Sequence, residues 1–145
     1  LILLDIDNFK RVNDTLGHLV GDRVLIEVGR LLRHLTRNED FVGRYGGEEF
    51  LVMTSAFDPS TLLSIAARIR QEVENCVITL EDGRELKVTV SLGVSLYLPG
   101  MIIRKSLKLA DLSLREAKRL GKNRVVASSI LTLASLGTRR HFSKT

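Results

Sequence analysis

A glycine pair between two short β-prone runs limits the folds open to this chain more than any other feature. Phe41 to Tyr45 and Glu49 to Ser55 flank Gly46-Gly47. Two glycines there predict a hairpin, because both can take φ > 0 in a two-residue turn. Val77 to Leu80 and Glu85 to Tyr97, around Glu81-Asp82-Gly83, predict a second hairpin. Helical spacing fills most of the rest. Asp7-Asn8 can cap a helix from Phe9 to about Leu16, with Gly17 suited to its C-terminal end. Gly21-Asp22 opens a second helix to about Leu35, with Leu25, Val28, Leu32 and Leu35 on one face. Asp58-Pro59-Ser60 starts a third, to about Asn75, and a last helix runs from about Ser106 to Leu120. Apolar strands at Leu1 to Ile6 and Val125 to Ala127 complete the order. That order predicts an α+β fold with a mostly antiparallel central sheet flanked by helices, not a doubly wound parallel sheet.

The 145 residues are 44% apolar and 27% charged, enough for one core without disulfides or metal staples. Cys76 is the only cysteine and reads as a small apolar residue; His18, His34 and His141 have no metal-ligand spacing. The net charge of +5 suggests nucleic acid until its placement is considered. Arg139, Arg140 and Lys144 lie in a C-terminal stretch without acids, leaving 19 basic against 17 acidic side chains in residues 1–136. The basicity belongs to a tail, and only 5% of residues are aromatic, so nucleic acid is not the expected partner. Val125 to Leu136 is interrupted by serines and shorter than the ~18 residues of a spanning helix. Leu1 opens inside an apolar run with no basic leader, which reads as a strand cut from a longer polypeptide. The expected location is cytoplasmic, with any membrane anchor in a missing N-terminal region.

Asp5 ends the first apolar strand, and Glu48 and Glu49 follow the glycine pair directly. An acid closing an apolar strand is costly without a partner. Asp5 and Glu48 therefore predict a hard-cation site. Mg²⁺ suits them, since it takes one or two protein carboxylates and keeps positions for water and phosphate oxygens. Asp7 reads as no more than a helix cap.

Gly46-Gly47-Glu48-Glu49-Phe50 spells GGEEF, and the chain resembles the GGDEF family of diguanylate cyclases. Asp5 to Asp22, DIDNFKRVNDTLGHLVGD, resembles the family's substrate-binding stretch. Ser91-Leu92-Gly93-Val94, Ala110-Asp111, Ala117-Lys118 and Gly121-Lys122-Asn123-Arg124 match as well. The resemblance covers residues 1–127 as one domain and leaves 128–145 as an unrelated tail. Family members usually carry a helix and a segment like DxLTGLxNR before the first strand, and this chain starts after it. The family implies a palm-like nucleotidyl-cyclase fold. It also implies a reaction, in which two GTP condense to cyclic di-GMP and two pyrophosphates with Mg²⁺ or Mn²⁺. Metal ions suit such chemistry because they acidify a hydroxyl and bridge phosphates.

By the same resemblance, Asp5, Glu48 and the Ile6 carbonyl hold the metal, and Glu49 supports metal binding or proton transfer. Asn13 and Asp22 correspond to guanine-reading positions; alone, Asp22 is more simply the N-cap of the second helix. A carboxylate accepting from guanine N1–H and its exocyclic amine would disfavour adenine. Phe9 through its backbone, Lys10, Lys118 and Lys122 correspond to phosphate contacts, and Gly46 and Gly47 let the nucleotide lie against the backbone. Lys122 stands where the family commonly has Arg, keeping the charge without the bidentate fork. Arg37 and Asp40, in Arg37-Asn38-Glu39-Asp40, match an RxxD site where cyclic di-GMP inhibits. A homodimer is implied, because each domain holds one GTP. The alternative is a GTP- or cyclic di-GMP-binding regulatory module with catalysis weak or lost.

Overall fold

The computed structural model describes residues 1–56 and 58–128. The expected tail thus lies, but for Ser128, outside the described residues. The elements run β1 (Ile2–Ile6), α1 (Phe9–Leu16), α2 (His18–Leu35), β2 (Phe41–Arg44), β3 (Glu49–Met53), α3 (Pro59–Asn75), β4 (Ile78–Thr79), β5 (Glu85–Leu86), β6 (Val90–Val94), α4 (Ile103–Arg119) and β7 (Val125–Ala127). A five-stranded sheet has the order β2-β3-β1-β6-β7. Its first three pairings are antiparallel and β6–β7 is parallel. The expected mixed fold, with a mostly antiparallel sheet between helices, is present.

Strand alternation decides what each face buries. Ile2, Leu4 and Ile6 join the main core with Val24, Val28 and Leu32 of α2 and Leu62, Ile69 and Val73 of α3. Leu1 and Leu3 point the other way, to Ala110 and Leu114 of α4. Beneath α4 the strand β6 presents Ser91 and Gly93, with Ser95 just beyond its end, and α4 answers with buried Ser106, Ala110, Ser113 and Ala117. Small residues on both sides let the helix backbone lie on the sheet. A Cβ on Gly93 would stand 2.0 Å from the Ala110 carbonyl oxygen.

Several local expectations need correction. The second hairpin is a two-stranded ribbon of β4 and β5 only, and the run to Tyr97 is not one strand. Val90–Val94 is buried throughout, so burial draws it into the central sheet beside β1. The helix expected from Gly21 starts at His18, with Gly17 at φ 93° as its N-cap, so Asp22 lies inside α2 and caps nothing. Asp7 does not cap α1 either; the N-cap is Asn8, and its side chain makes no capping bond. Neither Gly46 nor Gly47 is left-handed. The connection is longer than a two-residue turn: Tyr45 and Gly46 both donate their N–H to the Glu49 carbonyl, at 2.8 and 3.3 Å. Asp58 does cap α3 as expected, accepting from the Thr61 N–H at 2.8 Å, with Pro59 in the first turn.

Candidate active site

The site is built at the C-terminal end of β1, where three elements deliver charged groups. Asp5 lies on the α4 face of β1, directly across from Glu49 in the β1–β3 register and from Ser91 in the β1–β6 register. It is buried, and the Lys118 ammonium in the last turn of α4 donates to it at 2.7 Å. Burial is the dominant effect and pushes the Asp5 carboxyl up to about 6. Lys118 pulls it down, while Glu48 and Glu49 add to the rise.

Glu48 joins Asp5 through the backbone, since the Ile6 N–H donates to the Glu48 carbonyl at 3.2 Å. The sheet register faces Glu49, not Glu48, toward Asp5, which spacing along the sequence could not show. Among the described residues no group of three or more His, Cys, Asp or Glu could share a metal ion. Glu48 and Glu49 both lie close enough for their charges to act on the Asp5 carboxyl. Two carboxylates are what Mg²⁺ takes when the rest of its shell is water and phosphate.

The β1–α1 turn supplies the next part. Asn8 is left-handed, φ 57°, and its side-chain oxygen accepts from Lys122 Nζ at 2.6 Å instead of capping the helix. The first N–H groups of α1, at Phe9 and Lys10, therefore have no side-chain cap, and an uncapped helix start favours anions. Phe9 is buried and Lys10 exposed. Lys118 and Lys122 thus flank this turn, one bonded to Asp5 and the other to Asn8.

Asn13 of α1 and Asp22 of α2 both lie near the α1–α2 corner. The Asn13 side chain lies over Gly21, where a Cβ would come 1.8 Å from its Oδ1. Asp22 is the next residue, exposed, and borders a shallow cavity of about 760 Å³ with Leu16, Ile26 and Arg84. Gly47 is exposed, its φ is not left-handed, and a Cβ added there would meet nothing within 4 Å. Nothing inside the described chain demands glycine there.

Two residues escaped the sequence reading. Arg44 holds the glycine loop, donating to the carbonyls of Gly46 at 3.2 Å and Gly47 at 3.0 and 2.6 Å. Asp7 is buried and accepts from Ser91 Oγ at 2.6 Å, Thr89 Oγ1 at 2.7 Å and the Asn123 N–H at 3.0 Å. Its position two residues after Asp5, on the same face of an extended strand, is the signal in the sequence that could have found it.

Arg37 and Asp40 are not part of this cluster. They sit in the α2–β2 connection, at the opposite end of β2 from the glycine loop, about 13 Å away along a four-residue strand. The buried Asp40 carboxylate accepts the Arg37 N–H at 2.8 Å, and the Arg37 guanidinium bonds the Ser55 carbonyl at 2.9 Å and Thr54 Oγ1 at 3.2 Å. Just over half of the Arg37 side chain remains exposed.

Comparison with known proteins identifies the family. The family model described as diguanylate cyclase, GGDEF domain, matches residues 1–124. The chain belongs to the GGDEF family. It is 45% identical over 129 residues to diguanylate cyclase A of Treponema denticola, covering 88% of this chain and 34% of that protein. It spans about a third of the length of the first curated relatives it matches. Among solved GGDEF structures, the domain of YfiN from Pseudomonas aeruginosa superposes with a TM-score of 0.82 at 30% identity, covering 88% of this chain and 80% of that one. The active GGEEF domain of a diguanylate cyclase from Vibrio cholerae superposes at 0.77 and 34% identity, with the same coverage. No helix among the described residues is long and apolar enough to cross a membrane.

Proposed function

We propose that this GGDEF domain is a diguanylate cyclase that condenses two GTP into cyclic di-GMP, releasing two pyrophosphates. The observation that carries the reading is the convergence at one turn of a buried carboxylate, two ammoniums and an uncapped helix start, Asp5, Lys118, Lys122 and the first turn of α1. That is the donor set a metal-bound triphosphate needs. Asp5, Glu48 and the Ile6 carbonyl would hold Mg²⁺ or Mn²⁺. When bound, the ion acidifies the attacking 3′-hydroxyl and neutralises charge on the leaving pyrophosphate.

The chain's own groups do the rest. Lys118 and Lys122 grip the phosphates from two sides, and the Phe9 and Lys10 backbone N–H groups donate to phosphate oxygens. Lys118, bonded to Asp5 at 2.7 Å, would exchange that carboxylate for a phosphate oxygen as the triphosphate enters, which would leave Asp5 free to serve as a metal ligand. Glu49, facing Asp5, supports metal binding or takes the hydroxyl proton. Asn13 and Asp22 read the guanine edge. Gly46 and Gly47, their loop braced by Arg44, let the nucleotide approach the backbone. One site holds one GTP and the product joins two, so catalysis needs two copies of the domain facing each other. Arg37 and Asp40, at the far end of the sheet, bind cyclic di-GMP and inhibit, with Arg37 offering guanidinium donors to phosphate and to guanine.

The test is incubation with GTP and Mg²⁺, with products separated by chromatography and identified by mass. Cyclic di-GMP that disappears in Glu48→Gln is expected. GTP bound tightly but left unchanged would replace the cyclase with a nucleotide-binding regulatory module.

A further inference from the structure

Asn8, Lys122 and Asn123 are the non-glycine residues with positive φ among the described residues, at 57°, 66° and 47°. All three border the proposed phosphate site. Asparagine tolerates this conformation, but lysine does so at a cost, and two such residues in succession persist only where the surroundings impose them. Strain of this kind, gathered at one place, points to a geometry the site requires.

The surroundings can be named. The Lys122 N–H donates to the Ala117 carbonyl at 3.0 Å, which closes the end of α4. The Asn123 N–H donates to the buried Asp7 carboxylate at 3.0 Å. The Asn123 side chain is tied to α3: its Oδ1 accepts from Arg70 Nη1 at 3.1 Å, and its Nδ2 donates to Glu74 Oε2 at 3.1 Å. Arg70 and Glu74 are themselves paired at 2.5 Å. Asp7 is anchored in turn by Thr89 and Ser91, beside and within β6. The turn after α4 is therefore suspended between the end of β1 on one side and α3 on the other. From it Lys122 reaches across to Asn8.

We propose that Asp7, Asn123 and the Arg70–Glu74 pair are positioning residues that hold this turn left-handed, so that Lys122 is aimed at the triphosphate. The inference rests on the cyclase reading of the same site and adds residues that touch neither substrate nor metal. It also explains why a lysine serves here. A single ammonium on a flexible stem needs its backbone held, since it has no planar fork to align itself on phosphate.

Equilibrium binding of GTP in the presence of Mg²⁺ to the full chain tests this without depending on turnover. Asn123→Ala loses both the ties to α3 and the tolerance for positive φ, and is expected to weaken binding about tenfold. Asp7→Asn, which can still accept the Asn123 N–H and donate to Ser91, is expected to stay within about threefold of the unsubstituted chain. Asp7→Ala is expected to lose about tenfold. The deciding measurement is Asn123→Ala in a Lys122→Ala background, where the further loss should be less than about twofold. A merely structural role would cost the same in both backgrounds, and that result overturns the proposal, as does unchanged binding in Asn123→Ala. If Asn123→Ala does not fold, Arg70→Ala, whose site is on the half-exposed face of α3, gives the same comparison. Absence of GTP binding by the unsubstituted chain would refute the cyclase reading itself, and the inference with it.

Discussion

Gly93→Ala should be among the most damaging single-methyl changes in this protein. An added Cβ would stand 2.0 Å from the Ala110 carbonyl oxygen, 2.5 Å from the Leu114 nitrogen and 3.1 Å from the Ala110 carbonyl carbon. All three are backbone atoms of α4, so no rotamer change can relieve the overlap. Ordinary contact begins near 3.4 Å, so helix and strand must separate by about 1.4 Å along that line. The interface of Ser106, Ala110, Ser113 and Ala117 with β6 is then loosened along its length. Overpacking and lost contact together should cost about 3 kcal/mol. With a urea m-value of about 2 kcal/mol/M, the unfolding midpoint should fall by about 1.5 M. Lys118 rides on the same helix, so its 2.7 Å contact with Asp5 should suffer too, and nucleotide binding should weaken. Gly47→Ala is the matched control. Its new methyl meets nothing within 4 Å and the backbone is not left-handed, so stability should change by less than about 0.5 kcal/mol while GTP binding falls. A Gly93→Ala midpoint within experimental error of the unsubstituted chain would refute the packing argument.

Asp5→Asn and Glu48→Gln should each reduce cyclic di-GMP formation by at least about 100-fold, with the fold intact by circular dichroism; full activity in either would remove it from the metal set. Arg37→Ala should raise the cyclic di-GMP concentration needed for half-inhibition at least about tenfold, and an unchanged inhibition curve would end the RxxD assignment. Asp40 gives a pH signature. Burial alone would raise its carboxyl, but the Arg37 N–H, the Thr54 hydroxyl and the Arg37 guanidinium outweigh burial and hold it below the ordinary value. Its stabilisation is therefore complete above the unfolded pKa of about 4 and is lost as pH falls through the folded value. Asp40→Asn should thus be less stable than the unsubstituted chain at pH 6, by a margin that shrinks toward pH 3. A margin constant across that range would contradict the assignment.

Much of the proposed site can be read from the sequence because its parts lie in short, fixed-spacing segments. Asp5 at the end of an apolar run, the GGEEF stretch and the Lys118–Lys122 pair each carry their meaning within a few residues. So do the helices, whose apolar periodicity and the Asp58-Pro59 start survive into the structure. What stayed hidden depended on partners distant in the chain. Asp7 looked like a local cap because its donors, Thr89, Ser91 and Asn123, lie more than 80 residues away. Asp22 looked like a cap because nothing local shows that Gly17 already starts the helix. Arg44 carries no local signal of its role, because its bonds to the Gly46 and Gly47 carbonyls form only once the loop folds back over its guanidinium.

The sequence by itself determined the family, the α+β order of elements and the residue types available at the proposed site. Those follow from local periodicity, turn chemistry and motif spacing, which act over a few residues. Tertiary structure alone decided that Glu49 faces Asp5 across the sheet, that Val90–Val94 leaves its hairpin for the sheet centre, and that α4 lies close enough on Gly93 to bring Lys118 to Asp5. Each is a matter of register or of close approach between segments far apart in the chain, settled by burial and steric fit once the whole sheet assembles.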